Sequence, residues 1–147
     1  MSLRQRQVIL VRHAHADKPG YSGPDFDRPL TPQGLADAGS TAAAIRDAAH
    51  QPDLLLTSPA RRTVQTAEII AAKLNLPAAA VQQVDALYNA GPTVLQDELR
   101  LAFSTASFVL VVAHNPGISE LARMLTGDLT FDAFRPAHWL HAAWRED

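Results

Sequence analysis

Residues 8 to 17 read VILVRHAHAD. An apolar run stops abruptly at Arg12, His13, Ala14 and His15. Burying a guanidinium and two imidazoles is costly unless partners are supplied. Three chemistries fit the residue types: a metal site from the His13-x-His15 pair, a covalent imidazole nucleophile, or a strand end that simply meets water. Two distant stretches show the same pattern. The run DLLLT ends in Thr57-Ser58, with Arg61 and Arg62 just beyond, and FVLVVA ends in His114-Asn115.

If these ends converge, Arg12, His13, Arg62 and His114 form one cationic cluster, with Arg28 contributed by the loop after the first run. Arginine forks match phosphate oxygens with paired hydrogen bonds and stay charged. Phosphoryl transfer is catalysed mainly by positioning and by neutralising oxygen charge. A neutral imidazole among them can attack phosphorus and carry the phosphoryl group. Neighbouring cations disfavour imidazolium and so keep that nucleophile unprotonated.

Convergence requires a particular scaffold. The aliphatic runs 7–12, 53–57 and 108–113, with a weaker one near 80–87, are continuous rather than alternating, which predicts strands buried on both faces of a parallel sheet. A last strand is expected at 138–144, at an edge. Helices are expected between them. Thr31-Pro32 starts one, with Leu35, Ala38, Ala42, Ile45 and Ala49 inward, and Ser58-Pro59 repeats the device, with Val64, Ala67, Ala71 and Leu74 inward. A third covers 92–104, with Leu95, Leu99 and Ala102 inward. Asn115-Pro116 opens a fourth that carries Ile118, Leu121, Ala122 and Leu125 and stops at Gly127. Strand–helix alternation predicts an α/β fold, a three-layer sandwich with a mostly parallel central sheet flanked by helices, in one domain spanning residues 1–147. Open parallel sheets bind ligands outside the carboxyl ends of their strands, which is where the polar residues collect. The irregular stretch 14–30 is long enough to suggest a functional loop.

Composition removes whole classes. The chain has no cysteine, which excludes disulfides, thiolate metal sites and cysteine nucleophiles and suits a cytoplasmic setting. A net charge of −2 gives no general attraction for nucleic acid or anionic membrane. No segment has the apolar length of a membrane span. The opening MSLRQRQ lacks the apolar core of a signal peptide, and its first three residues are set aside from the functional argument.

Together these motifs resemble the histidine phosphatase superfamily, the phosphoglycerate mutase-like fold. Arg12-His13-Ala14 stands for the family's Arg-His-Gly, and Ser58 to Thr66 (SPARRTVQT) for its Ser-x-x-x-Arg-x-x-Gln-Thr. Ala113-His114-Asn115 stands for its second histidine, and Arg28 to Gly34 (RPLTPQG) for its Leu-Thr-x-x-Gly helix start. The short chain and the Arg-Pro-Leu-Thr and His-Asn-Pro-Gly details look closest to the SixA-like phosphohistidine phosphatases. The resemblance implies that His13 is the nucleophile, that Arg12, Arg62 and His114 bind phosphoryl oxygens with Arg28 joining them, and that neither metal nor other cofactor is used. It departs at Ala14 and at the family's acidic proton donor, for which Asp85 is the candidate. Short members often manage without that acid.

The expected partner is therefore a phosphorylated protein carrying phosphohistidine, or a small phosphoester. A chain this short lacks the insertions that enclose mutase sites, and an open rim admits a protein side chain. Two alternatives remain: a small-molecule phosphomonoesterase, and a non-catalytic phosphoryl-binding module. A metal site at His13 and His15 lacks a set of partner carboxylates. His15 is read as a rim residue, Arg61 as a solvated helix residue, and Asp17, Asp25 and Asp27 as solvated loop carboxylates, one of which could modulate substrate access. His50, His138 and His141 carry no motif.

Overall fold

The computed structural model describes residues 5–18, 22–48, 50–130 and 132–145. The aliphatic runs become the strands β1 (Gln7–Arg12), β2 (Leu54–Thr57), β3 (Val81–Gln83) and β4 (Phe108–Ala113), followed by β5 (Trp139–Ala143). All five form one sheet in the order β3-β2-β4-β1-β5. The first four are parallel, and β5 pairs antiparallel with β1 at the edge. The expected mostly parallel α/β sandwich is the architecture observed.

Burial explains the unbroken hydrophobic runs. Val8 and Leu10 of β1 and Val109 and Val111 of β4 pack on one face, against Leu95 and Leu99 of α3 (Pro92–Ala102) and Ile118 and Leu121 of α4 (Gly117–Thr126). The alternate residues Ile9, Val11, Leu110 and Val112 pack on the other. They meet Ala42 and Ile45 of α1 (Pro32–Asp47) and Ala67 and Ile70 of α2 (Arg61–Lys73). Both faces of the central strands are dry, so neither face tolerates polar alternation. No described helix is long and apolar enough to cross a membrane.

Three local expectations change. In α1 the inward stripe is Gly34, Ala38, Thr41, Ala42 and Ile45, while Leu35 is exposed. The helix turns Gly34, rather than its bulkier neighbour, toward the chain leaving β1. Ala49 lies outside the described residues. Ser58 does not cap α2: the N-cap is Ala60, without a side-chain bond, because the Ser58 hydroxyl is committed elsewhere. Helix α3 ends at Ala102, and α4 begins at Gly117 after Pro116. Thr31 does cap α1, its hydroxyl accepting from Gly34 N at 3.0 Å, and Gly127 closes α4 at a φ of 71°, a left-handed conformation suited to glycine.

Two close approaches fix the helix starts against the loops around the strand ends. A Cβ on Gly34 would lie 2.0 Å from the His15 carbonyl oxygen, and one on Gly117 would lie 2.0 Å from that of Ala90. Both obstacles are backbone, which cannot rotate away. Gly34→Ala is therefore expected to destabilise the fold by about 1–3 kcal/mol. Urea denaturation measures this, and an unchanged midpoint would show that the α1 start is not held this closely.

Candidate active site

The parallel register carries the chemistry to one rim. Arg12 pairs with Ala113, and Thr57 with Val112, at the carboxyl ends of β1, β4 and β2. Ladder-like bonds continue one residue further: His13 N donates to Ala113 O and Ser58 N to Val112 O, each at 3.2 Å. Three strands a hundred residues apart in sequence thus deliver His13, Ser58 and His114 side by side. The His13 and His114 rings lie 5.5 Å apart, edge to face.

His13 and His114 line a cavity of about 400 Å³ with Arg12, His15, Ala16, Asp25, Arg28, Arg62, Asn89, Asn115 and Pro136. A larger cleft, of about 620 Å³, runs beside α1 and shares only Pro136 with it. The smaller cavity holds the convergent arginine and histidine side chains, and chemistry rather than size selects it. Arg62 is 2 % exposed and reaches it from the first turn of α2, whereas Arg61 points to solvent. Arg28 arrives on the loop after β1, where Arg28 Nη1 donates to the Asp17 carbonyl. Asp85 lies in a short 3-10 turn (Asp85–Leu87) and is exposed. It is absent from the cavity lining.

The protonation of His13 follows from its hydrogen bond. Its Nδ1 lies 2.7 Å from the Ala14 carbonyl oxygen. A carbonyl only accepts, so Nδ1 holds the proton and Nε2 of the neutral ring keeps its lone pair. Burial, and then the Arg62, Arg12 and Arg28 guanidinia, push the ring down to a pKa of about 4, although the Ala14 bond favours the cation. His114 is pushed to about 3, by burial first and then by Arg62 and His13. Its Nδ1 accepts from Arg62 Nη2 at 3.4 Å, so Nε2–H of the neutral ring donates to Ser58 Oγ at 2.7 Å. That bond occupies the hydroxyl that the sequence suggested as a helix cap.

The arginines are incompletely satisfied. Arg12 Nη1 donates to Phe134 O at 2.8 Å, and Arg62 Nη1 to Asp25 O at 2.9 Å. Among the described residues, Arg12 Nε and Arg62 Nε are the buried side-chain polar atoms without a partner. Buried unpaired donors are rare and costly, and they mark places where a ligand completes the set. Both belong to guanidinia of this cavity.

The motif's remaining residues hold the loop that carries His13. Thr66 Oγ1 accepts from Ala14 N at 3.1 Å and donates to Arg62 O at 2.8 Å. Gln65 Oε1 accepts from Leu30 N at 2.7 Å. His15 is exposed, its Nδ1 2.8 Å from Thr31 Oγ1. Among the described residues, no group of three or more His, Cys, Asp or Glu is arranged to hold a metal ion.

Sequence reasoning missed Asp25, Tyr88 and Asn89. Asp25 Oδ2 accepts from Tyr88 OH at 2.6 Å and from Arg62 Nη2 at 3.2 Å, and Oδ1 accepts from Arg28 Nε at 2.8 Å. It is a hydrogen-bonded carboxylate at the cavity mouth rather than a free loop carboxylate. Its spacing of three from Arg28 was the available signal. Nothing in the local sequence shows that the loop would bring it to Arg62.

A family model of the histidine phosphatase superfamily (branch 1) matches residues 8–89, more than half of the chain. The chain belongs to the histidine phosphatase superfamily. The match contains Arg12, His13, Arg28 and Arg62, and His114 lies beyond it. An uncharacterised chloroplastic protein of Arabidopsis thaliana is 33 % identical over 130 residues, covering 83 % of this chain and 60 % of that protein. The chain therefore spans less than two thirds of this relative's length. Among histidine phosphatase structures, one from Agrobacterium tumefaciens, assigned as phosphohistidine phosphatase SixA, superposes with a TM-score of 0.84 at 28 % identity, over 95 % of this chain and 92 % of that one. A protein histidine phosphatase SixA complexed with tungstate superposes at 0.77 with 27 % identity, over 89 % and 83 %.

The His13 environment generates a titration prediction. A protonated ring has no lone pair to attack with, and the lowered pKa keeps the neutral form across the neutral range. In an NMR titration the His13 ring signal should stay constant from roughly pH 8 to 5.5 and move only as pH falls toward about 4. A midpoint near the ordinary 6.5 would contradict this placement.

Proposed function

We propose that the chain is a phosphohydrolase that works through a phosphohistidine intermediate on His13, and that its substrates carry phosphohistidine. The observation that carries this reading is the committed tautomer of His13. One nitrogen is bound to the Ala14 carbonyl and the other is a free base, in a cavity lined by three guanidinia. A binding module needs the cations but gains nothing from a desolvated, unprotonated imidazole.

In the first step, Nε2 of His13 attacks phosphorus in line and the bond to the leaving group breaks. Arg12, Arg28 and Arg62 neutralise the equatorial oxygens, and the unpartnered Nε donors of Arg12 and Arg62 gain acceptors. Phosphorylated His13 is a cation, and the Ala14 carbonyl holds its Nδ1–H. In the second step water attacks phosphorus, and the P–N electron pair returns to Nε2. The ring is neutral again, and the proton lost by water leaves with phosphate. Neither step calls on Asp85, which we assign no role at the reacting atoms.

Two considerations favour phosphohistidine over a small ester. The cavity mouth carries the exposed residues His15 and Asp25, so a protein side chain can approach. The structural relatives above 25 % identity include a protein histidine phosphatase SixA complexed with tungstate. A mycobacterial glucosyl-3-phosphoglycerate phosphatase, 18 % identical with a TM-score of 0.69, shares the fold alone.

The test is turnover of a phosphohistidine protein and of p-nitrophenyl phosphate, with and without chelator. The phosphohistidine protein should be hydrolysed in both conditions, and His13→Ala should lower the rate at least about a thousandfold. Full activity in His13→Ala would sink the mechanism. Activity lost to chelator would restore the metal reading of His13 and His15. Preference for the ester would assign the site to small substrates.

A further inference from the structure

A carboxylate inside a phosphate clamp works against phosphate binding, because it repels the incoming anion and offsets the arginine charge. Asp25 is placed there firmly. Three donors, from Tyr88, Arg28 and Arg62, occupy its two oxygens. The Tyr88 hydroxyl foremost, with both arginines, holds its pKa down to about 2. It is therefore a carboxylate at working pH and cannot protonate a leaving group. A carboxylate offers about four acceptor positions, so one is left open. Its side chain is 45 % exposed, whereas that of Arg62 is 3 % exposed. Asp25 stands at the mouth, above the buried His13, Arg62 and His114.

In-line attack places the leaving group opposite His13, on that same open side. For a phosphoimidazole, the leaving nitrogen takes the P–N electron pair. If the distal ring nitrogen carries a proton, the product is neutral imidazole; if not, it is imidazolate, a far poorer leaving group. The reactive substrate is thus a phosphoimidazolium, a cation with an N–H pointing away from phosphorus. Phosphorylated His13 is the same species, and its distal N–H is held by the Ala14 carbonyl at 2.7 Å. The incoming ring needs an equivalent acceptor on the mouth side.

We propose that Asp25 accepts the distal N–H of a phosphoimidazolium leaving group and so selects phosphohistidine over phosphate esters. The inference rests on the phosphohydrolase reading above. The transfer then balances without a proton donor. The His13 Nε2 lone pair forms the new N–P bond, and the old P–N pair returns to the substrate ring. That ring departs neutral because it retains its distal proton. Tyr88 acts as a positioning residue that fixes the carboxylate, and Arg28, besides its contact with the phosphoryl oxygens, holds the other carboxylate oxygen.

The test compares kcat/KM for phosphoimidazole and for p-nitrophenyl phosphate, which leaves as a stabilised anion with no N–H. The ratio of the two separates a leaving-group contact from general damage to the clamp. Asp25→Asn should lower the phosphoimidazole-to-ester ratio at least about tenfold, the kinetic equivalent of one charge-assisted hydrogen bond. Asp25→Glu, which keeps the carboxylate, should hold the ratio nearer the wild-type value than Asp25→Asn does. An unchanged ratio in Asp25→Asn overturns the inference, whether both rates fall together, as for a tether of Arg62, or rise together, as for a competitor of phosphate. Wild-type protein that hydrolyses the ester but not phosphoimidazole would overturn the phosphohistidine reading itself.

Discussion

The short bond from His13 Nδ1 to the carbonyl of the next residue sets the chemistry of the cavity. Burial and three guanidinia make the imidazolium form of His13 unfavourable, and the Ala14 carbonyl decides which nitrogen of the neutral ring keeps the proton. Without that acceptor the ring could turn or change tautomer, and the lone pair would no longer be fixed on Nε2. In the proposed mechanism the same carbonyl then supports the cation that forms once the ring is phosphorylated. On that proposal one backbone oxygen both orients the base and stabilises the product of its attack.

The fold supplies the other half. A parallel sheet gathers the ends of β1, β2 and β4 without regard to sequence distance, so Arg12, His13, Ser58 and His114 meet at one rim. Helix α2 adds Arg62 from its first turn, and Thr66, one turn later, ties the Arg62 carbonyl to the Ala14 amide. The loop that carries His13 and the helix turn that carries Arg62 are therefore tied together by one hydroxyl. Gln65 and the Thr31 cap fasten the following loop, and Gly34 lets α1 start directly against it. Much of the motif that looks catalytic in sequence is the carpentry that holds the catalytic groups.

What could be read from sequence follows from what sequence patterns encode. Continuous aliphatic runs announce strands buried on both faces, and polar residues at their ends announce a rim, so the sheet, its helices and the convergence of Arg12, His13, Arg62 and His114 on one cavity were legible together. Side-chain commitments that depend on a third element were not. Ser58 looks like a helix cap until His114, 56 residues away, is seen to donate to it. Leu35 satisfies the helical stripe as well as Gly34 does, and only the nearness of the His15 backbone decides which faces inward. Asp25 sits in a Gly-, Pro- and Asp-rich stretch that reads as solvated. Its role depends on the path of that loop over Arg62 and on Tyr88, 63 residues later. Asp85 drew attention by its region in the chain, but the turn that carries it leaves Asp85 exposed and sends Asn89 to the cavity.

The covalent intermediate is the most direct test of the account. Rapid alkaline quenching during turnover of a labelled phosphohistidine substrate, followed by peptide mapping, locates the phosphoryl group on the protein. Label on His13, bonded through Nε2, is the predicted result. Turnover at full rate with no label on His13, or with label at His114 or His15, would contradict it.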